Sequence, residues 1–341
     1  MTRFRLLADD LTGALDSAVR FVPRFGPIPV LSTDPADLPV AAFDTATREA
    51  PAAQIPLLMS HWTPHLAGHG LAFKKLDSLL RGHPAAEIAA CLREGGFAHA
   101  VIAPAFPFQG RITRGGRQFA HGQDVGVDLD LELARHGMFV SHCRPGDAPS
   151  PGVSLWDAAS DDDLDLVVAA ARHLPGQVLW CGTGGLAAAL GGRTALPPPT
   201  LPHPILALVG SDHPVSRAQL AAAPQRATLP DRIPHDRSIA VDVGLPPGLP
   251  RAEAASRIAA AFAALAHTVP RPGTLLVTGG ETLRGLCTAL GARHLVVETE
   301  IEPGLPVSRM EGGLWNGLTV VSKSGAFGAP DLLARLLERD G

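Results

Sequence analysis

Five short segments carry residue types that do chemistry, and each stands where an apolar run gives way to glycine, proline or charge. In Leu7-Ala8-Asp9-Asp10-Leu11-Thr12-Gly13-Ala14 two adjacent carboxylates end a strand-like run. There they can accept hydrogen bonds from sugar hydroxyls or take a proton; capping of the next helix by Asp10 or Thr12 explains the same residues without chemistry. Asp16 lies one helical turn beyond Thr12. In Lys74-Lys75-Leu76-Asp77-Ser78-Leu79-Leu80-Arg81-Gly82, two lysines and an arginine can clamp a carboxylate or phosphate, arginine by a two-point fork and lysine as a point charge. A solvated charged turn is the plainer alternative. The run Pro104-Ala105-Phe106-Pro107-Phe108-Gln109-Gly110-Arg111, with Arg114 and Arg117 at spacing three, reads as an anion-facing loop or as a surface basic patch.

The last two segments are glycine turns. Val277-Thr278-Gly279-Gly280-Glu281-Thr282-Leu283 stops a strand and starts a helix, whose bare N-terminal amides and dipole favour a phosphate. Lys323-Ser324-Gly325-Ala326-Phe327-Gly328 repeats that strand-to-glycine change, as does Gly210-Ser211 after Ile205–Val209. Three such turns in the C-terminal part suggest a nucleotide pocket, although neither a Walker P-loop nor a Gly-x-Gly-x-x-Gly fingerprint is present. His61, His65 and His69 have the spacing of a helical metal face, but Pro64 kinks that helix and Gly68 weakens it, so no metal site is expected. Asp161-Asp162-Asp163 after Ser160 reads as a dipole-matched helix start, and Trp156 and Trp180 as core.

These turns need a framework that presents strand ends side by side. Apolar runs at Phe4–Ala8, Ala100–Ala103, Val178–Cys181, Ile205–Val209, Leu275–Thr278 and Leu318–Ser322 alternate with helical patterns. Those patterns cover Gly13–Val22, Ala85–Leu92, Asp161–His173, Arg251–His267 and Glu281–Leu290. That alternation predicts an α/β fold of two domains, each with a mostly parallel sheet flanked by helices, with ligands in the cleft between the domains. Five prolines between 197 and 204 exclude a helix or central strand there, and as polyproline II eight residues would span roughly 25 Å. The expected division is therefore 1–196, a linker at 197–204, and 205–341.

Composition removes other classes. The 341 residues are 46% hydrophobic, enough for two cores. With 29 basic and 33 acidic residues the net charge is −4, which offers no global attraction for nucleic acid or anionic membrane. The apolar run at Ile258–Ala266 is about half a membrane span, and no signal-peptide pattern opens the chain. The four scattered cysteines contain no Cys-x-x-Cys pair, so a reducing cytoplasm is expected. The Ala-rich helix Arg251–His267 reads as core or as the face of a homodimer.

Taken in order, the segments resemble the four-carbon acid sugar kinase family. The resemblance rests on ADDLTGALD (8–16), DTATR (44–48), KKLDSLLRG (74–82), PAFPFQGR (104–111), WCGTGGLAAAL (180–190), VGSDHPVSRAQ (209–219), VTGGETLRG (277–285) and KSGAFG (323–328). It implies ATP-dependent phosphorylation of threonate, erythronate or oxo-tetronates, with the acid sugar in the N-terminal domain and the nucleotide in the C-terminal one. It puts ATP near Ser211, Gly279, Gly280, Glu281, Thr282 and Gly325, and the sugar near Asp9, Asp10, Arg48, Lys75, Asp77, Arg81 and Arg111. The chain is shorter than is usual in the family, chiefly after Gly122; His213 replaces a small hydroxyl residue and Leu79 a threonine.

The expected mechanism has Arg48, Arg81 and Lys75 holding the substrate carboxylate. Asp10 or Asp77, equally placed on sequence grounds, takes the proton of the attacking hydroxyl, and Mg²⁺ bridges the phosphates. A hydroxy-acid dehydrogenase using NAD(P) and a non-catalytic acid-sugar sensor are the competing readings.

Overall fold

All five residues of Phe4–Ala8 are buried, the pattern of a strand covered on both faces. The computed structural model describes residues 3–33, 38–68, 70–194, 196–246 and 248–338. The chain divides into two compact units, Met1–Ala195 and Leu196–Gly341.

Unit 1 contains β1 (Phe4–Ala8), β2 (Ile28–Leu31), β3 (Val40–Asp44), β4 (Leu71–Lys75), β5 (His99–Ala103), β6 (Arg111–Arg114), β7 (Arg117–Ala120), β8 (Gln123–Asp124), β9 (Val140–Cys143), β10 (Val153–Trp156) and β11 (Val178–Gly182). Eight of these form a parallel array in the order β2-β3-β1-β4-β11-β5-β10-β9, while β6-β7-β8 make a separate antiparallel sheet. Alternation along β1 sends Leu7 into a cluster with Phe43, Met59, Trp62, Ile88 and Leu133. Phe4 points the other way, its ring 4.4 Å from Phe21 and 5.1 Å from Phe25. Each such side chain, once fully buried, contributes on the order of 1.5–3 kcal/mol.

Helix boundaries follow local chemistry. Asp10 caps Leu11–Ala18 by accepting from the Gly13 amide. Pro84 opens Pro84–Gly95, and Gly96, at φ 69°, closes it. Ser160 and Asp163 form a reciprocal capping box at Asp161–Ala171. The helix expected over Gly13–Val22 is broken: a 3-10 turn at Val19–Phe21 separates Leu11–Ala18 from Val22–Phe25, with Pro23 in the latter's first turn.

Unit 2 holds β12 (Ile205–Val209), β13 (Arg226–Leu229), β14 (Ile239–Val243), β15 (Thr274–Thr278), β16 (His294–Glu300), β17 (Pro306–Glu311) and β18 (Thr319–Lys323). The order is β13-β14-β12-β15-β18-β17-β16, parallel except that β17 runs against both neighbours. Helix Pro214–Ala222 packs with Leu332–Leu337 over a core of Val209, Leu276, Val321 and Leu336. Residues 197–204 form neither helix nor strand and are bonded within this unit: Thr274 Oγ1 donates to the Pro202 carbonyl at 2.7 Å, and Thr299 Oγ1 to that of Pro197 at 3.1 Å. Among the described residues no helix is long and apolar enough to cross a membrane.

Candidate active site

Each sheet reverses its winding beside its first strand in the chain. In unit 1 the chain leaves β1 for β2 and β3 on one side, then crosses to β4 on the other; in unit 2 it leaves β12 for β13 and β14, then crosses to β15. The loops beyond the carboxyl ends of such a pair diverge and leave a crevice for ligand. Register sharpens this. Ala8 pairs with both Asp44 and Lys75, and Lys75 with Gly182, so four strands end level and Asp9, Thr45, Leu76 and Thr183 emerge side by side. In unit 2, Val209, Thr278 and Lys323 are likewise level, bringing out Gly210, Gly279 and Ser324 together.

At the β1/β4 reversal Arg48 ties three carboxylates together. Its Nε and Nη2 fork onto Asp9 at 2.7 and 2.8 Å, Nη2 also donates to Asp10 Oδ1 at 2.9 Å, and Asp77 Oδ1 lies 3.5 Å from the same nitrogen. Arg81 forks onto Asp77 at 2.8 and 2.7 Å, and Asp77 Oδ2 also accepts from the backbone amides of Leu79 and Arg81. Asp10 accepts from Thr12 Oγ1 at 2.7 Å and from the Gly13 amide at 2.9 Å. Burial opposes ionisation of Asp10 and Asp77. For Asp10 the Arg48 and Lys75 charges and the Thr12 hydroxyl outweigh it, and for Asp77 the Arg81 hydrogen bonds and the Arg48 charge do; both carboxyls are held below the usual carboxylate range. Burial pushes Asp9 up.

The expected grip of Arg48 and Arg81 on a substrate carboxylate thus meets guanidinium forks that Asp9 and Asp77 already fill. Two other cations have no carboxylate within ion-pair distance among the described residues. Lys75 donates to the Leu76 carbonyl at 2.7 Å, and Arg111 donates to Ser78 Oγ at 2.5 Å while its buried Nε has no hydrogen-bond partner. Burial pushes Arg111 down from its ordinary value, yet a guanidinium stays protonated. Gly13 joins the set by what it lacks: a Cβ there would collide with Asp10 Oδ1 and lie 3.2 Å from Lys75 Nζ. Asp10 is also the most open of the three carboxylates, its side chain 14% exposed against 6% for Asp9 and 7% for Asp77.

The three arginines spaced along 111–117 do not converge. Arg111 is buried, Arg114 is exposed, and Arg117 pairs with Asp124 and Asp128. One feature had no signal in sequence spacing: Lys74, fully buried, is ion-paired with buried Glu87 at 2.5 Å. Burial opposes its charge, but Glu87 prevails and raises its pKa. Of the three spaced histidines, His69 lies outside the described residues, and His65 sits in a 3-10 turn that contains Pro64. No group of three metal-ligating side chains occurs among the described residues.

In unit 2 the turns interlock through missing side chains. Any Cβ on Gly210 would collide with Thr282, and one on Gly325 with Ser211 Oγ. Gly279, at φ 105°, starts Gly280–Ala289, which no side chain caps. Its first turn, Gly280, Glu281 and Thr282, therefore presents backbone amides at a positive helix end, with Glu281 exposed and Thr282 buried. Ser211, Gly279, Gly280, Glu281, Thr282 and Gly325 all lie on these three level turns.

Comparison with known proteins matches residues 4–142 to a sugar-binding N-terminal domain and residues 235–333 to a nucleotide-binding C-terminal domain. The chain is 30% identical to a D-threonate kinase of Cupriavidus necator, over 95% of its own length and 94% of the relative's. It is 31% identical to a D-threonate kinase of Bordetella bronchiseptica (97% and 95% covered), and 25% to a D-erythronate kinase of Heliobacterium modesticaldum (97% and 95%). The first alignment runs over 401 positions against a chain of 341, so it leaves gaps in this chain. Among solved structures, a Salmonella typhimurium LT2 protein provisionally described as a tRNA synthase superposes with a TM-score of 0.73 at 18% identity, with both chains fully covered. A Haemophilus influenzae protein does so at 0.67 and 18%, covering 98% of this chain and 99% of its own. At that identity these two speak for the fold alone.

Proposed function

The chain belongs to the four-carbon acid sugar kinase family, and from that premise we propose that it transfers the γ-phosphoryl group of ATP to the terminal hydroxyl of a sugar acid of the threonate or erythronate type. It is a phosphotransferase acting on an alcohol group. The observation that carries the substrate class is the β1/β4 reversal, where Lys75 near Asp10 and Arg111 near Asp77 stand without a carboxylate within ion-pair distance among the described residues. A small carboxylated polyol supplies both the anion for the two cations and the hydroxyl for Asp10.

Lys75 and Arg111 hold the substrate carboxylate, a role that Arg48 and Arg81 leave to them. Arg48 fixes the positions of Asp9 and Asp10, and Arg81 that of Asp77. Asp10 accepts the proton of the attacking hydroxyl, since reach is the first requirement of a base and Asp10 is the most open carboxylate. Its low proton affinity suits a loose phosphoryl-transfer transition state, in which little charge has built on the nucleophile when the bond to the leaving group breaks.

In unit 2 the amides of Gly279, Gly280, Glu281 and Thr282 and the turns at Ser211 and Gly325 receive the phosphates. A hard cation fits there without a protein cage. Mg²⁺ keeps several waters and binds through phosphates plus one or two carboxylates. Exposed Asp212 and Glu281 on these turns would provide those carboxylates, and no group of three side chains placed to hold a metal ion occurs among the described residues. The ion would neutralise phosphate charge.

The test is a coupled ADP-release assay across D-threonate, D-erythronate and the oxo-tetronates. The expected result is ADP formation with at least one of them, matched by an equal yield of phosphomonoester. Quenching of NADH fluorescence with no ADP release would indicate a dehydrogenase. Saturable acid binding without turnover would indicate a sensor.

A further inference from the structure

Lys323 ends β18 with its side chain turned inward, 1% exposed. Its Nζ donates to the backbone carbonyls of Ser324 at 3.0 Å, Phe327 at 3.1 Å and Gly325 at 3.5 Å, and lies 3.4 Å from Ser216 Oγ. Two more buried side chains serve the same loop from helix Pro214–Ala222. Ser216 Oγ donates to the Gly325 carbonyl at 2.7 Å, and Gln219 Nε2 to those of Phe327 and Ala329 at 3.0 and 2.9 Å.

In a trans peptide the C=O and N–H point in opposite directions. Drawing the carbonyls of Ser324, Gly325 and Phe327 toward one ammonium therefore turns the amides of Gly325, Ala326 and Gly328 away from it. The loop faces Ser211, whose Oγ leaves no room for a Cβ on Gly325. No carboxylate lies within ion-pair distance of Lys323 among the described residues, and burial pushes its pKa down to about 7. A buried ammonium without a counter-ion is costly. An anion on the far side of the loop would offset that cost.

We propose that Lys323 is a positioning residue for the nucleotide: its ammonium gathers the Ser324–Phe327 carbonyls so that the loop presents amides to the phosphates, and it offers them a positive charge from behind. This rests on the reading of unit 2 as the nucleotide unit. The test is calorimetric titration of the whole chain with ATP, ADP and adenosine. Lys323→Met should weaken ATP about tenfold or more, ADP less, and adenosine within twofold, with D-threonate affinity unchanged. Lys323→Gln, which keeps donors without charge, should fall between. Equal weakening of all three ligands would mean a structural role only, and unchanged ATP affinity would likewise overturn the proposal. If Lys323→Met does not fold, Ser216→Ala decides: it should weaken ATP about threefold and leave adenosine alone, and unaltered ATP affinity would count against the proposal. Wild-type chain that binds D-threonate but no adenine nucleotide removes the nucleotide reading itself, and this proposal with it.

Discussion

Arg48 is the residue on which the unit 1 site is strung, for its guanidinium lies within ion-pair distance of Asp9, Asp10 and Asp77 alike. Removing one member of a buried charge cluster costs on the order of 3–5 kcal/mol. Arg48→Met should therefore lower the melting temperature, and the loss should depend on pH. In the wild type the depressed carboxyls Asp10 and Asp77 contribute stability that is present above the unfolded value near ~3.9 and is lost as pH falls through their folded values. In the variant Asp9 and Asp10 lose their guanidinium, are destabilising when ionised and are relieved by protonation, while Asp77 keeps its Arg81 fork. The gap between the two melting curves should shrink from pH 7 toward pH 4; a constant gap would contradict the assigned cause. The carboxylates themselves should separate kinetically. Asp10→Asn is expected to lower kcat by about 10²–10⁴. Asp77→Asn, which frees Arg81, should mainly raise KM for the acid. Comparable kcat losses in both would return Asp77 to candidacy as the base.

At the level of turns, the space a glycine leaves is as specific as a side chain. Gly325→Ala puts a methyl against Ser211 and should raise KM for ATP at least tenfold with the acid KM unchanged. Gly13→Ala, which crowds Asp10 and Lys75, should do the reverse. Steady-state kinetics with each substrate varied separately would check both, and a swap of the two effects would reassign the units. These turns were legible because a strand, a change to Gly, Asp or Ser, and a helix follow one another within a dozen residues: Phe4–Ala8 and Ile205–Val209 have the bounds expected from sequence. What was not legible is long-range pairing. Arg48 reaches Asp9 across 39 residues and Arg111 reaches Ser78 across 33, and no local pattern encodes either contact. Short strands such as β2 and β13, and the antiparallel β16–β17 pair, carry too few residues or too many charges for a periodicity to show.

Across the whole molecule, two sheets of different strand order obey one rule, with chemistry-bearing turns gathered where the winding reverses. If each unit binds one ligand, hydrogen exchange should report them separately. D-threonate should protect backbone amides in 9–16 and 75–81, and ATP those in 210–213, 279–283 and 324–328. Protection in the opposite assignment would overturn the division of roles. The pair Lys74 and Lys75 also limits how this chain can change length. The two are chemically identical neighbours, yet the pleat sends one ammonium to Glu87 in the core and the other to the ligand crevice. Deleting one residue of β4 ahead of Lys74 would put Lys75 opposite Glu87 and Leu76 toward the crevice, while inserting one would put Lys74 toward the crevice and leave Glu87 alone; either change takes the cation from one of the two places while the composition hardly changes. A lineage that shortens this protein must therefore trim its loops and keep the reading frame of that one strand.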